Sequence, residues 1–295
     1  MTFSDFQKKL PVKLNPQQTQ AMQATDGPSL VLAVPGSGKT TMLVARLGYL
    51  VLCANVPPER ILTVTYTVAA CRDMAARFSH FFGEELASRM EFRTINGICA
   101  KVILTYGRMI GKTPFSLAGE EANLSGLLSS IYVEAAGSYP TEADLHGIRT
   151  LITYIKNMLL TPEEIKDLEK TVDYPLAEIY GKYCTALRSR SLMDYDDQLV
   201  YAYKMLKGSP QVLSLFQNTF PYLCVDEAQD TSRIQHEIIK LLASKSRNLF
   251  MVGDEDQSIY GFRAAYPRPS LTLKKTGPVQ RSISWRRTTG PSQTS

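Results

Sequence analysis

Histidine, cysteine and tryptophan are scarce in this 295-residue chain, which has three, five and one of them. His80, His146 and His236 form no ligand-like cluster, and Cys53, Cys71, Cys99, Cys184 and Cys224 show no close Cys pairs of the zinc-site kind. An odd number of widely spaced cysteines also excludes a disulfide framework and fits buried, reduced thiols. The opening MTFSDFQKKLP lacks the apolar core of a secretory signal, and no apolar run approaches membrane-spanning length. A cytoplasmic protein with no membrane partner is expected. Acidic residues are absent from 268–295, where six basic ones collect, leaving 27 basic against 28 acidic in the preceding residues. The net charge of +5 therefore belongs to the tail, and any nucleic-acid binding must come from a local groove. Repeats and long low-complexity tracts are also missing. With 44% hydrophobic residues the chain has material for one large or two modest domains.

Against these absences stands one dense motif. Ala33, Val34, Pro35, Gly36, Ser37, Gly38, Lys39 and Thr40 spell AVPGSGKT, after the apolar run Leu30-Val31-Leu32 and before a helical stretch from Thr41 to Leu52. Strand, glycine-rich loop and helix in that order form a phosphate cradle. The glycines let backbone N–H groups close around phosphate oxygens, and the positive end of the helix favours their charge. Lys39 is expected to reach the β- and γ-phosphates of a nucleotide and Thr40 to ligate Mg²⁺, with the cradle running on through Thr41. Ala33 stands where the general pattern has its first glycine.

A second element supports the first. Tyr222-Leu223-Cys224-Val225 reads as a buried parallel strand that ends in Asp226-Glu227. Ligands bind at the carboxyl ends of such strands. Asp226 is suited to hold the metal together with Thr40, and Glu227 to polarise the water that attacks the γ-phosphate. The helix that follows has the apolar stripe Ile234, Ile238, Leu241 and Leu242.

These residues, with VGDEDQSIYGFR at 252–263, resemble the UvrD/Rep-like superfamily 1 DNA helicases, whose motifs read VDExQD and VGDxDQSIYxxR. The resemblance runs from about Leu14 to Pro267. It takes in LNPQQ at 14–18, TVTYTVAACRDM at 63–74, RTINGI at 93–98 and MDYDDQL at 193–199. It implies that Gln18 reads adenine, that Gln257 senses the γ-phosphate, and that Thr65, Tyr66, Asn96, Phe262 and Arg263 face a DNA strand. Phe262 stands where the family usually has tryptophan; base stacking on such a ring is worth roughly 1–3 kcal/mol. ATP and Mg²⁺ are the implied cofactors, and single-stranded or 3′-tailed duplex DNA the implied partner. Val68 and Ala69 replace the family's asparagine and lysine, and Asn96 its histidine, so some DNA contacts should be weaker.

The expected fold is α/β, a P-loop NTPase (RecA-like) parallel sheet with helices on both faces, interrupted by an inserted helical subdomain. Ile61–Thr65 and Asn248–Val252 read as further buried strands, with helices after Thr67 and Ile95. The motor domain should comprise residues 1–110 and 191–267. Between them, 111–190 is helical throughout: Thr161-Pro162-Glu163-Glu164 is a capping-box start, and Leu176, Ile179, Tyr183 and Leu187 recur at helical spacing.

Residues 268–295 show neither helical nor strand periodicity and are expected to be disordered. Back-translation with one base inserted after the Pro267 codon permits EAILDFEKDWPGAKVYLLEENYRSIANI, which contains a segment similar to the family's LExNYRS. A frame shift near Pro267 that truncates a longer helicase is the expectation, against a genuine divergent tail. Three functions stay open: an ATP-dependent helicase, 3′ to 5′ by resemblance; an inactive ATP- or DNA-binding remnant; and the motor of a helicase-nuclease complex with a protein partner.

Overall fold

The computed structural model describes residues 1–34, 36–119 and 122–254, and the backbone of Arg281–Trp285. In chain order the elements are α1 (Phe3–Lys9), α2 (Pro16–Gln23), β1 (Ser29–Ala33), α3 (Lys39–Leu52), β2 (Ile61–Thr65), α4 (Val68–Phe82), α5 (Glu84–Arg89), β3 (Glu91–Thr94) and α6 (Ile95–Met109). Next come β4 (Ser116–Leu117), α7 (Leu124–Ala136), α8 (Glu142–Met158), α9 (Pro162–Glu169), α10 (Leu176–Ser189), β5 (Leu192–Met193), α11 (Tyr195–Gly208), α12 (Pro210–Thr219), β6 (Tyr222–Val225), α13 (Arg233–Ala243), β7 (Asn248–Gly253) and β8 (Arg281–Trp285).

The chain divides into two compact units. One comprises Met1–Ile98, Leu213–Thr231 and the described part of Ile239–Ser295; the other comprises Cys99–Val212 with Ser232–Ile238. The first is built on a parallel sheet in the order β3-β2-β6-β7-β1-β8. All five residues of β2 are buried, as a central parallel strand covered on both faces requires. Met42, Leu43, Leu47 and Leu50 of α3 and Met74 and Phe78 of α4 make one core with Val31, Ile61, Cys224, Phe250 and Val252 of the strands. A satellite cluster of Phe6, Met22 and Ala45 ties the first two helices to α3, with the Phe6 ring stacked 5.8 Å from that of Phe82.

Arg46 is the polar anchor of this packing. Its side chain is buried, and Nη1 donates to the carbonyls of Ala21, Met22 and Ala24 at the end of α2, where helix carbonyls run out of intrahelical partners; Ala21 O also accepts from Ala24 N–H. The guanidinium lies 3.9 Å from the Phe250 ring centroid. Burial pulls its pKa below the ordinary arginine value, and neighbouring Cys224 acts in the opposite sense.

The second unit is helical. Thr161 caps α9 in a capping box with Glu164, with proline at the helix start, and Leu176, Ile179, Tyr183 and Leu187 are all buried on α10. The unit includes α11, whose first turns are joined to α8 by polar bonds. Lys156 Nζ lies 2.7 Å from Asp194 and 2.8 Å from Asp197, and Asn157 Nδ2 donates to Asp196 at 2.7 Å. A single strand pair, Ser116 with Leu192 and Leu117 with Met193, also enters a stretch expected to be wholly helical. Two residues are too few for alternation to be legible.

The backbone of β8 pairs in parallel with β1, from Ser29 opposite Arg281 to Ala33 opposite Trp285. The backbone of these five residues thus adds a strand within a stretch that shows no periodicity. An open strand edge offers a row of backbone donors and acceptors, and pairing with it needs no side-chain periodicity. Along α13, Ile239 is buried beside Ile234, Ile238 and Leu242, taking the core place expected of Leu241.

Candidate active site

The loop after β1 turns through Gly36 and Gly38, with φ of +71° and +82°, a region that glycine enters without a steric penalty. Ser37 N–H donates to Val34 O at 3.3 Å and closes the turn. Gly38 caps α3 without a side-chain acceptor, so the amides of the first turn, from Lys39 through Thr41, are presented to the loop. Ser37 Oγ is buried without a hydrogen-bond partner, an orphan suited to a ligand oxygen. Lys39 Nζ points back under the loop, 3.5 Å from Ala33 O and 3.1 Å from Asp254 Oδ2.

Gln18 packs directly on this turn. Its Oε1 accepts from Asn15 N–H at 2.9 Å in a capping box, and its Nε2 donates to Ser37 O at 2.8 Å. A Cβ at position 38 would come within 3.3 Å of that amide nitrogen, which makes glycine the fitting residue twice over. The residue expected to read adenine therefore braces the phosphate loop.

Across the sheet, Asp226 follows β6, and its N–H donates to Val64 O at 3.0 Å. Its carboxylate is buried, with the Thr40 hydroxyl among the groups that act on its charge. Burial, then the charge of Glu227, raises its pKa to about 6; the Glu227 N–H, Lys39 and Thr40 pull the other way. A buried carboxylate and a neighbouring hydroxyl, both hard oxygen donors, fit Mg²⁺. The next residue, Glu227, has a left-handed backbone with φ +51° and opens the short Ala228–Asp230 turn. Gln229 Nε2 donates to Glu227 Oε2 at 2.6 Å, and Gln229 Oε1 accepts from Asp254 N–H at 2.9 Å.

The strand order explains this convergence. Between β1, which bears the loop, and β6, which bears the acidic pair, runs β7, whose end delivers Asp254. Lys39, Thr40, Asp226, Glu227, Gln229 and Asp254 thus meet at the carboxyl ends of three adjacent strands, where open α/β sheets bind ligands. Sequence reasoning passed over Gln229 and Asp254; their signal was their place inside the two acidic motifs.

Such a site on such a sheet is matched by the family model of the UvrD/REP helicase N-terminal domain, over residues 14–278. The chain belongs to this family. Among similar proteins, the "ATP-dependent DNA helicase PcrA" of Leuconostoc citreum is 33% identical over 275 residues, which cover 92% of this chain and 36% of that helicase. The proteins of the same name from Staphylococcus epidermidis RP62A and Staphylococcus aureus NCTC 8325 are 33% and 32% identical, over 92% of this chain and 37% of each relative. The chain spans just over a third of the length of these curated relatives.

The residues expected at a DNA strand sit farther along the same edge of the sheet. β2 and β3 end side by side, Thr65 opposite Thr94, which brings Tyr66 and Asn96 to neighbouring strand ends. Tyr66 and Asn96 are half-buried, whereas Thr65 is buried. The Thr65 hydroxyl donates to Thr67 O at 3.1 Å and contacts Cys71 Sγ at 2.7 Å, so it secures the turn into α4. Val68 is 56% exposed just beyond. Pro35, Gln257, Phe262 and Arg263 lie outside the described residues. All five cysteines are free thiols. Among the described residues no helix is long and apolar enough to cross a membrane, and no His, Cys, Asp and Glu side chains gather as a metal cluster.

Proposed function

We propose that this chain is the ATP-binding motor portion of an ATP-dependent DNA helicase, acting in the cytoplasm on single-stranded or 3′-tailed DNA in the 3′ to 5′ sense. The carrying observation is the convergence at adjoining strand ends of buried Lys39, paired with Asp254, and buried Asp226, with Thr40 and Glu227 half-buried beside them. Lys39 and the first-turn amides of α3 bind the β- and γ-phosphates. Thr40 and Asp226 hold Mg²⁺, which neutralises charge on the phosphate oxygens when bound. Glu227 accepts a proton from the attacking water, Gln257 senses the γ-phosphate, and Tyr66, Asn96, Phe262 and Arg263 contact the DNA strand. Thr65 supports this edge of the sheet from beneath.

Titration of the chain with Mg-ADP and Mg-ATP, followed by ATPase assays with and without single-stranded DNA, tests this reading. Binding should weaken at least tenfold in Lys39→Ala and persist in Glu227→Gln, while any DNA-stimulated turnover disappears in both. A wild-type chain that binds neither nucleotide would overturn it.

A further inference from the structure

Glu227 has a backbone conformation that costs a non-glycine residue energy, and such strain persists only where surrounding contacts over-determine it. The Glu227 N–H donates to Asp226 Oδ1 at 3.1 Å and its carbonyl accepts from Asp230 N–H at 3.0 Å, and the Gln229 side chain adds a contact to the carboxylate. It is 6% exposed, and both ends of its amide are committed: the NH₂ to Glu227 Oε2 at 2.6 Å, the carbonyl to Asp254 N–H at 2.9 Å. The amide orientation is set by chemistry, since a carboxylate only accepts and a backbone N–H only donates. Gly253 adds a wall: a Cβ there would stand 3.2 Å from Gln229 Oε1, so the absent side chain leaves the amide its room.

We infer that Gln229 is a positioning residue for Glu227: it occupies Oε2 so that Oε1 faces the attacking water, and registers that carboxylate against the end of β7. This inference rests on the proposed nucleotide function. Glu227 and Asp254 are otherwise carried on separate strands, β6 and β7, and Gln229 joins them through one side chain. Because Asp254 also pairs with Lys39, a continuous line of polar contacts runs from Lys39 through Asp254 and Gln229 to Glu227. The group that binds phosphate is thereby connected to the group that orients water.

The test compares affinities of the full chain for Mg-ADP and for Mg-ADP with aluminium fluoride, whose planar fluoride group and apical water imitate the in-line attack. Gln229→Leu keeps the volume and loses both bonds. Gln229→Glu keeps an acceptor for Asp254 N–H but sets a carboxylate against Glu227. Both variants should lose at least tenfold more affinity for the fluoride complex than for Mg-ADP. Combining either with Glu227→Gln should add nothing further, because the two residues act as a unit. Melting temperatures establish that each variant is folded. If Gln229→Glu retains wild-type affinity for the fluoride complex, Gln229 only supports β7 and the inference fails while the functional reading stands. If wild type binds neither species, the reading itself fails and the inference with it.

Discussion

Lys39 Nζ and Asp254 Oδ2 stand 3.1 Å apart with their side chains 9% and 0% exposed, an ion pair formed across 215 residues of chain. The cation proposed to bind phosphate is therefore already neutralised within the protein. On the proposed function, a nucleotide draws Lys39 away from Asp254, exchanging one anion for another rather than desolvating a bare charge. Asp254→Asn removes the competitor, and Mg-ATP affinity should rise roughly tenfold, as expected for the loss of one competing charge-assisted bond. Calorimetric titration of the two proteins measures it; unchanged or weaker binding would show that Asp254 assists the nucleotide.

Asp226 makes stability depend on pH. Its pKa is about 6 in the folded protein against an ordinary value of 3.8, so the native state holds the extra proton between those limits. Stability is then greatest below the ordinary value and falls as pH rises through 6, by roughly 3 kcal/mol if the shift is complete. Asp226→Asn should stabilise the chain by about 1–3 kcal/mol at pH 8 and by almost nothing near pH 4. Thermal melts at the two pH values give the comparison, and equal effects at both would refute it.

Gly48 lies inside α3, where alanine would ordinarily improve the helix by roughly 1 kcal/mol. A Cβ there would overlap the Phe82 ring, which is itself packed against Phe6 and Phe78. Gly48→Ala should therefore destabilise by about 1–3 kcal/mol, as overpacking does in a filled core. The urea midpoint reports the sign directly.

In the helical unit, burial disfavours charged Lys156, yet Asp194 and Asp197 more than offset it and raise its pKa above the ordinary lysine value. Burial, opposed by Lys156 and aided by Asp194, raises the pKa of Asp197. Lys156→Met strands two carboxylates and should cost about 3–5 kcal/mol at pH 7. The loss should shrink on acidification, because burial already biases Asp197 toward its protonated form. Urea titrations across the acidic range test this; a loss independent of pH would assign it to packing alone.

Elements set by short-range chemistry were legible in the chain. The bounds of β2 and β6 match the apolar runs Ile61–Thr65 and Tyr222–Val225, and Thr161 with Glu164 forms the capping box its spacing implies. The phosphate loop was equally plain, because a run of glycines before Lys39 has few other uses. Features that depend on a distant partner were not legible. Nothing local shows that Gln18 Nε2 donates to Ser37 O. Nor does anything local show that the Thr65 hydroxyl donates to Thr67 O and contacts Cys71. The tail, without periodicity, still adds β8 to the edge of β1.

The amino-acid sequence by itself determined the local machinery: a left-handed glycine turn ahead of a helix start, an acidic pair after a buried strand, and an amphipathic helical segment. Each follows from steric and hydrophobic rules acting within a few residues. Only the tertiary structure decided that β7 runs between β1 and β6, and so that Asp254 stands between Lys39 and Gln229. Strand order is a long-range property, chosen by which apolar faces pack together and which backbone edges pair, and no window of sequence contains both partners.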